Sequence, residues 1–336
     1  MPTMKDVALK AGVSLGTVSN VLNGKDSVLP ENRAKVLRVV ERLKFRSNLV
    51  ARTLRTKSSK DIGLIIPNIN NPFYPELARG VEDAANKAGF TVLLCNDDRD
   101  VRKERSYIKS LMAKKMYGIV LLKPQISRAE AEEIALNMAM VLMDARMPAG
   151  SACNVVNVDD RGGIVKGMRF LRRHGHAKIG FIKGLADSLS SHDRVKAYRE
   201  FLKDEGLPLR REYIFPGDYS LNGGCKAARA LLTLSDPPTA IASSNDLMAL
   251  GCLKEAQRMG LDVPGDVSVI GYDNLDLANF CTPRLTTINQ PKYEMGVKGV
   301  ELLLRNFPHG PGLPGEVAVL PTEVVERESA GPARAR

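Results

Sequence analysis

Asn20 is the first side chain that calls for a chemical explanation. Asn is a poor helix former, yet it lies in the helical pattern Leu15–Asn23, where Val18, Val21 and Leu22 make an inward stripe. Its amide pairs a donor with an acceptor, which matches an adenine edge in the major groove of DNA. Ser14, Leu15, Gly16, Thr17 and Ser19 lie on or near the same outer face, with Asn23 at the helix end. The hydroxyls of Ser14, Thr17 and Ser19 can bond a base or a phosphate, although ordinary helix-surface polarity accounts equally well for Thr17 and Ser19. A second set of polar groups directly follows short apolar runs further along. Asn68, Asn71, Phe73 and Tyr74 follow the first run, Asp144 and Arg146 follow Met143, and Asp187 through Arg194 follow Ile182. Asn245 and Asp246 follow Ala242, and Asp273 and Asn274 follow Ile270. Carboxylates, amides and arginine beside aromatic rings suit a polyhydroxylated ligand. Helix capping is the competing reading, equal in weight for Asn245 and Asp246 and weaker for Arg194 and Asp273.

Catalytic chemistry finds less support. No Gly-x-Gly-x-x-Gly follows a strand pattern and no phosphate loop ends in Gly-Lys-Ser/Thr. Four histidines include one i,i+2 pair, His174 and His176, in a turn that reads as a helix end, so no metal site is expected. No Ser/His/Asp set has a suggestive local signature. The expectation is a non-enzyme without cofactor or metal.

The elements that must position Asn20 are short. Thr3–Ala11 places Val7, Ala8 and Ala11 at helical spacing, with Thr3 as N-cap and Asp6 three positions on. Gly12 suits the position just past a helix end, and Ser14 caps the next helix. A third helix over Pro30–Lys44 is expected to bury Val36, Leu37, Val40 and Leu43. Two short helices around a glycine turn, braced by a third, make a helix-turn-helix. Charge agrees with that reading. Residues 1–60 hold 13 Lys and Arg against 4 Asp and Glu, whereas the other 276 carry 36 and 34. Nearly all of the net +11 therefore lies in less than a fifth of the chain, as a phosphate-backbone ligand would select. The basic segment from Ser47 to Lys57 follows, with Val50 and Leu54 as an apolar stripe. Too short for an isolated helix, it could fold on DNA with Leu54 as a minor-groove wedge; a plain flexible linker is the alternative.

From Asp61 onward, strand candidates alternate with helical patterns. The strands are Ile62–Ile66, Thr91–Cys95, Gly118–Leu122, Met140–Met143, Val155–Val158, Lys178–Ile182, Ala240–Ala242 and Val267–Ile270. Helical patterns include Pro75–Ala88, Arg102–Lys114, Gly163–Arg173, Arg194–Glu205, Leu221–Leu232 and Leu247–Met259. Such alternation builds parallel sheets covered on both faces. A chain of 336 residues with 44% hydrophobic and 26% charged side chains has material for two or three folding units. Its apolar runs are far shorter than the roughly 20 residues of a membrane span. Residues 1–10 lack a secretory pattern, and five scattered cysteines argue against a disulfide framework. A cytoplasmic protein is expected.

The stretch MKDVALKAGVSLGTVSNVLNG, followed by SNLVARTLRT, resembles the head and hinge of the lactose-repressor (LacI/GalR) family, and the similarity continues to about residue 328. The resemblance implies an all-α helix-turn-helix domain over 1–58, with a hinge helix at 47–56, where Asn48, Ala51 and Leu54 would touch DNA. It implies a periplasmic-binding-protein-like α/β effector domain over 60–330. Chain crossovers near 158–160, 287–290 and 319–322 would divide that domain into discontinuous lobes, about 60–158 plus 289–319 and about 160–287 plus 321–330. Effector contacts are then implied at Asp144, Arg194, Tyr219, Asn245, Asp273 and Gln290, beside Phe73 and Tyr74. Two positions depart from the family pattern: Asn20 stands where arginine is usual, and Ser47 where proline often precedes the hinge asparagine. The expected protein is a homodimeric repressor on a near-palindromic operator, controlled by a sugar-like effector that either releases or promotes DNA binding. The C-terminal tail has no heptad leucines, so no tetramerising coil is expected. A transporter receptor, a sugar-metabolising enzyme and a regulator answering to a protein partner are the rival readings.

Overall fold

The computed structural model describes residues 2–22, 27–45, 59–306 and 314–334. They fall into two compact units, Met1–Ser59 and Lys60–Arg336. Asn23, Asn48, Ala51, Leu54 and the expected hinge helix lie outside the described residues.

Local chemistry sets the helices of the first unit. In α1 (Met4–Ala11) the Thr3 hydroxyl accepts from the Asp6 amide, while the Asp6 carboxylate accepts from the Thr3 amide at 2.7 Å. Gly12, at φ 66°, turns the chain away after Ala11, a conformation without steric cost only for glycine. Ser14 Oγ accepts from the Thr17 amide at 3.1 Å and starts α2 (Leu15–Leu22). Helix α3 (Pro30–Arg42) begins with proline at its first turn. The three helices close over Val7, Ala8, Ala11, Val18, Val21, Val36, Val39 and Phe45. Two expectations about α3 need correction. It ends at Arg42, and Leu37 is 50% exposed while Val39 is buried. Leu37 sits one helical step, about 100°, round from Val36, and the packing stripe runs through residues 36, 39, 40 and 43 instead.

The second unit contains two six-stranded sheets. In the first, β1 (Asp61–Ile66), β2 (Thr91–Asn96), β3 (Gly118–Leu122), β4 (Ala139–Met143), β5 (Asn154–Val158) and β11 (Val317–Leu320) lie in the order 11-5-4-3-1-2, all parallel. In the second, β6 (Ile179–Lys183), β7 (Ile214–Pro216), β8 (Ala240–Ser243), β9 (Ser268–Asp273), β10 (Thr286–Asn289) and β12 (Glu323–Val325) lie in the order 12-10-9-8-6-7. Only β12 runs antiparallel there. The first five strands of each lobe thus share the winding 2-1-3-4-5. The strand-end crevice at the reversal of that order is where open α/β sheets bind ligands.

Helices α4 (Phe73–Lys87) and α12 (Lys292–Asn306) cover one face of the first sheet, and α5 (Val101–Ala113) and α6 (Arg128–Ala135) the other. Helices α7 (Asp160–Arg173) and α8 (Leu189–Asp204) cover one face of the second sheet, and α9 (Leu221–Leu232) and α10 (Asp246–Arg258) the other. The short helix α11 spans Leu277–Phe280. Both lobes use the same device to bring two helices together. A Cβ at Gly80 would stand 2.1 Å from the Tyr293 carbonyl, and one at Gly224 only 2.0 Å from the Met248 carbonyl. The chain changes sheet between β5 and α7, between β10 and α12, and between β11 and β12.

Candidate functional site

The outer face of α2 is the expected recognition surface of the first unit. Val18 and Val21 turn α2 inward, which leaves Ser14, Leu15 and Gly16 exposed and Thr17, Ser19 and Asn20 half-buried. Leu15, at the exposed start of the helix, presents an apolar contact beside the polar ones. Ser14 is already engaged, since its hydroxyl caps α2 and bonds the Thr17 hydroxyl at 2.9 Å.

The second unit holds a cleft of about 600 Å³, counting its mouth, at the carboxyl ends of both sheets. Volumes of that order suit a small-molecule ligand. From the first lobe come Asn71, Phe73 and Tyr74 after β1, Lys123 after β3, Asp144 after β4 and Asn157 in β5. From the second come Asp160, Ser190 and Arg194, then Tyr219 after β7, Asn245 after β8 and Asp273 at the end of β9, with Gln290 after β10. Phe73, Tyr74, Asp144, Arg194, Tyr219, Asn245, Asp273 and Gln290 thus share one lining. Asn68, Arg146, Asp187, Asp246 and Asn274 do not line it.

Backbone strain gathers here. Lys123 (φ 50°), Asp144 (φ 54°), Tyr219 (φ 63°) and Asp273 (φ 125°) all adopt positive φ without being glycine. Such conformations cost free energy and persist where the surroundings over-determine them, most often at functional sites. Each aims a side chain from a strand end into the cleft.

Two ion pairs face each other across the cleft. Lys123 Nζ lies 3.2 Å from Asp144 on the first lobe. Both reach the second lobe: the Ser190 hydroxyl donates to Asp144 at 2.9 Å, and Lys123 sits over the Tyr219 ring at 5.1 Å. On the second lobe Arg194 Nε donates to Asp160 at 2.7 Å, and Nη1 to the Ser244 carbonyl at 2.5 Å. The guanidinium also lies 3.7 Å from the centre of the Tyr272 ring, whose hydroxyl donates to Asp160. Outside the lining, two further ion pairs join the lobes: Arg99 with Asp187 at 2.8 Å, and Arg146 with Asp193.

Burial alone would raise Asp144, but Lys123, the Ser190 hydroxyl and Arg194 hold its carboxyl below the usual range. Asp273 behaves oppositely. Burial first and Asp246 second push it up to about 7, against the pull of Arg194, Lys292 and Gln290. Near neutral pH it can therefore donate as well as accept a hydrogen bond. Asn245 has two tasks: its Oδ1 accepts from the Met248 amide and caps α10, while Nδ2 donates to the Tyr219 carbonyl. Asp246 is wholly buried and accepts from the Leu275 amide and the Thr287 hydroxyl, which is structural work.

Sequence reasoning missed Lys123, Asn157 and Asp160 as lining residues. Lys123 directly follows the run Gly118–Leu122, so the strand-end argument that found Asp144 had the means to find it. Among the described residues no group of His, Cys, Asp and Glu could hold a metal ion, and no helix is long and apolar enough to cross a membrane.

A three-helix head that displays a polar helix, on a chain whose larger unit encloses a polar cleft, defines a ligand-binding DNA-recognition protein. Residues 3–48 match the lacI family of bacterial regulatory proteins, and residues 168–330 match a periplasmic binding protein-like domain. Catabolite control protein A of Priestia megaterium is 36% identical over 97% of this chain and 98% of its own. The crystal structure of the lac repressor dimer bound to operator and the anti-inducer ONPF superposes with a TM-score of 0.87 at 26% identity, over 98% of this chain and 99% of that one. A complex of the transcriptional regulator CelR with cellobiose superposes at 0.72 with 29% identity, over 98% and 100%. The chain belongs to the lacI family of bacterial regulatory proteins and is a DNA-binding transcription regulator.

Proposed function

We propose that this regulator is a homodimeric repressor of a near-palindromic operator, controlled in the cytoplasm by a small polyhydroxylated effector, a sugar or sugar derivative, bound between its two lobes. The observation that carries the reading is the cleft lining: Asp144, Arg194, Asn245 and Asp273 converge from different strand ends beside Phe73, Tyr74 and Tyr219. Carboxylates and amides pair with hydroxyls, while rings cover the apolar face of a sugar. Asn20 on α2 reads a base edge, and Ser14, Leu15, Gly16, Thr17 and Ser19 support it; Asn23, Asn48, Ala51 and Leu54 extend the contact. A relative of the same fold is a transcriptional regulator in complex with cellobiose, which supports a sugar as the effector class. No catalytic step is assigned to the cleft.

Dimerisation through the body has its own support. The edge strand β2 exposes Leu93 and Leu94, and the second lobe exposes Leu221, Leu277 and Phe280, the last at 83%. Uncovered apolar groups of this size, on an edge strand above all, call for a partner. The operator-bound relative is a dimer.

A thermal-shift screen of the full chain against sugars, sugar phosphates and nucleosides tests the effector reading, because a ligand of the folded state raises Tm by mass action. A sugar-class hit that changes the affinity of the same chain for genomic fragments is expected. No hit in any class, or a hit without effect on DNA affinity, would reject the reading. Asn20→Ala should weaken binding to the selected fragment by about 1–3 kcal/mol and leave random-sequence affinity nearly unchanged. Equal loss on both would reassign Asn20 to the phosphate backbone.

A further inference from the structure

The corner that carries Asp273 is held from behind by an ammonium group outside the cleft lining. Lys292, the first residue of α12, is 1% exposed. Its Nζ donates to the carbonyls of Asp273 at 2.7 Å, Asn274 at 3.1 Å and Gln290 at 3.4 Å, and stands 3.2 Å from a carboxylate oxygen of Glu76. Removing an ammonium from water is costly, and a buried cation needs both hydrogen bonds and a counter-charge. Lys292 has both.

The backbone explains where those acceptors come from. Asp273 at φ 125° and Asn274 at φ 55° both lie on the side of the map that L-residues rarely visit. The unusual pair brings successive carbonyls to one donor, while the Asp273 carboxylate accepts from Gln290 Nε2 at 2.6 Å. Other bonds hold the Asn274 side chain, from Arg327 at 2.7 Å and to Asn289 at 3.1 Å. Only Lys292 grips the two carbonyls among the described hydrogen bonds. Glu76 adds a further link, since it lies in the first turn of α4 with Phe73 and Tyr74.

We propose that Lys292 is a positioning residue of the effector cleft: its ammonium fixes the strained Asp273–Asn274 corner and, through Glu76, ties that polar corner to the helix carrying Phe73 and Tyr74. Its consequence for the effector rests on the reading of the cleft given above. A hydrophobic stem filling a gap would leave the charge of Asp273 indifferent to Lys292. A positioning ammonium does not. The groups facing the Asp273 carboxyl include Asp246, Arg194, Lys292 and Gln290, with the hydroxyls of Tyr74 and Tyr272, so removing one cation from that set has a defined sign.

The test is a carboxyl-carbon NMR titration of the ¹³C-labelled full chain without ligand, with the Asp273 signal assigned by its loss in Asp273→Asn. In the unsubstituted chain its midpoint should lie at about 7. Lys292→Met should raise it by about one pH unit or more, since an opposite charge has been removed; Lys292→Arg should restore most of the difference. Glu76→Gln, at a side chain that reaches solvent, should produce a smaller shift of opposite sign. An unchanged Asp273 midpoint in both Lys292→Met and Glu76→Gln overturns the proposal. If Lys292→Met fails to fold, a null shift in Glu76→Gln alone overturns it. Failure of the effector reading would appear elsewhere, as a thermal-shift screen without hits, and would leave these midpoints where they are.

Discussion

The two walls of the cleft solve the same electrostatic problem in different ways. Each carries an aspartate paired with a cation. On the second lobe, Arg194 and Asp160 complete their bonding within that lobe, using the Ser244 carbonyl and the face and hydroxyl of Tyr272. On the first lobe, Lys123 and Asp144 retain about a fifth of their side-chain exposure, and they reach across to Ser190 and Tyr219. One pair is a fixture of the wall, whereas the other is a contact between walls. An effector hydroxyl can replace Ser190 at Asp144 without disturbing a core, but it cannot displace Asp160 from Arg194 at comparable cost. On the proposed effector reading, Arg194 would offer the ligand a donor whose orientation is set by Asp160, the Ser244 carbonyl and the Tyr272 ring.

The largest expected effect follows from that contrast. Asp160→Asn leaves the buried Arg194 guanidinium without its counter-charge and weakens the bond from Tyr272. Removing one member of a buried pair typically costs about 3–5 kcal/mol, and a loss in that range is expected in urea unfolding of the full chain. A loss below about 1 kcal/mol would break the comparison, because the two walls would then be equally adaptable.

A second effect, intermediate in size, concerns what stands behind Lys123. The Glu104 carboxylate is wholly buried and accepts from the amides of Gln125 at 2.9 Å and Ile126 at 2.7 Å, just past Lys123. Burial drives its carboxyl up to about 7; the two amides pull back, and the neighbouring Asp97 adds to the rise. The folded chain therefore holds this proton more tightly than the unfolded chain, whose value is about 4.5. Its contribution to stability is complete below about pH 4.5 and is lost as pH rises through about 7. Glu104→Gln keeps the acceptor and cannot ionise. The stability difference between the two proteins should shift in favour of the variant by up to about 3 kcal/mol between pH 4.5 and 8. Parallel pH profiles would show that the first wall is not backed by a titrating group.

Legibility in the sequence followed the range of the interactions. The capping box of Thr3 and Asp6 and the turn at Gly12 involve neighbours in the chain, and sequence reading reached them. Inward positions on α3 were harder. Val39 and Leu37 are both compatible with a helical stripe through Val36, and only the position of the other helices chooses between them. The strand Thr286–Asn289 reads as polar, yet Thr286 and Thr287 are fully buried, because the Thr286 hydroxyl accepts from the Arg327 amide and the Thr287 hydroxyl donates to Asp246. Helix α6, rich in charge, hid its apolar stripe, although its cap at Ser127 and Glu130 is a local signal. In the cleft, residues that directly follow strands were accessible to a positional rule. Asp160, two residues past β5, was open to the same rule; the role of Lys292 was not, because its acceptors Asp273 and Asn274 lie 19 and 18 residues away and Glu76 stands on another helix.

The smallest expected effect sharpens the comparison most. Ser190 donates to Asp144 across the cleft, and it also bonds Ser188, which bonds the Tyr219 hydroxyl at 3.2 Å. Ser190→Ala removes one hydrogen bond to a carboxylate that still has Lys123 beside it and a cleft open to water. A bond to a charged group is worth about 1.5–3 kcal/mol when nothing replaces it, but water can take the vacated site here. The cost in urea unfolding should thus stay below about 1 kcal/mol, well under that of Asp160→Asn. A loss equal to Asp160→Asn would mean that the contact between walls is as fixed as the pair within the second. Asp144 would then be closed to an effector hydroxyl, and the ligand would have to be held by the Asp273 side of the cleft instead.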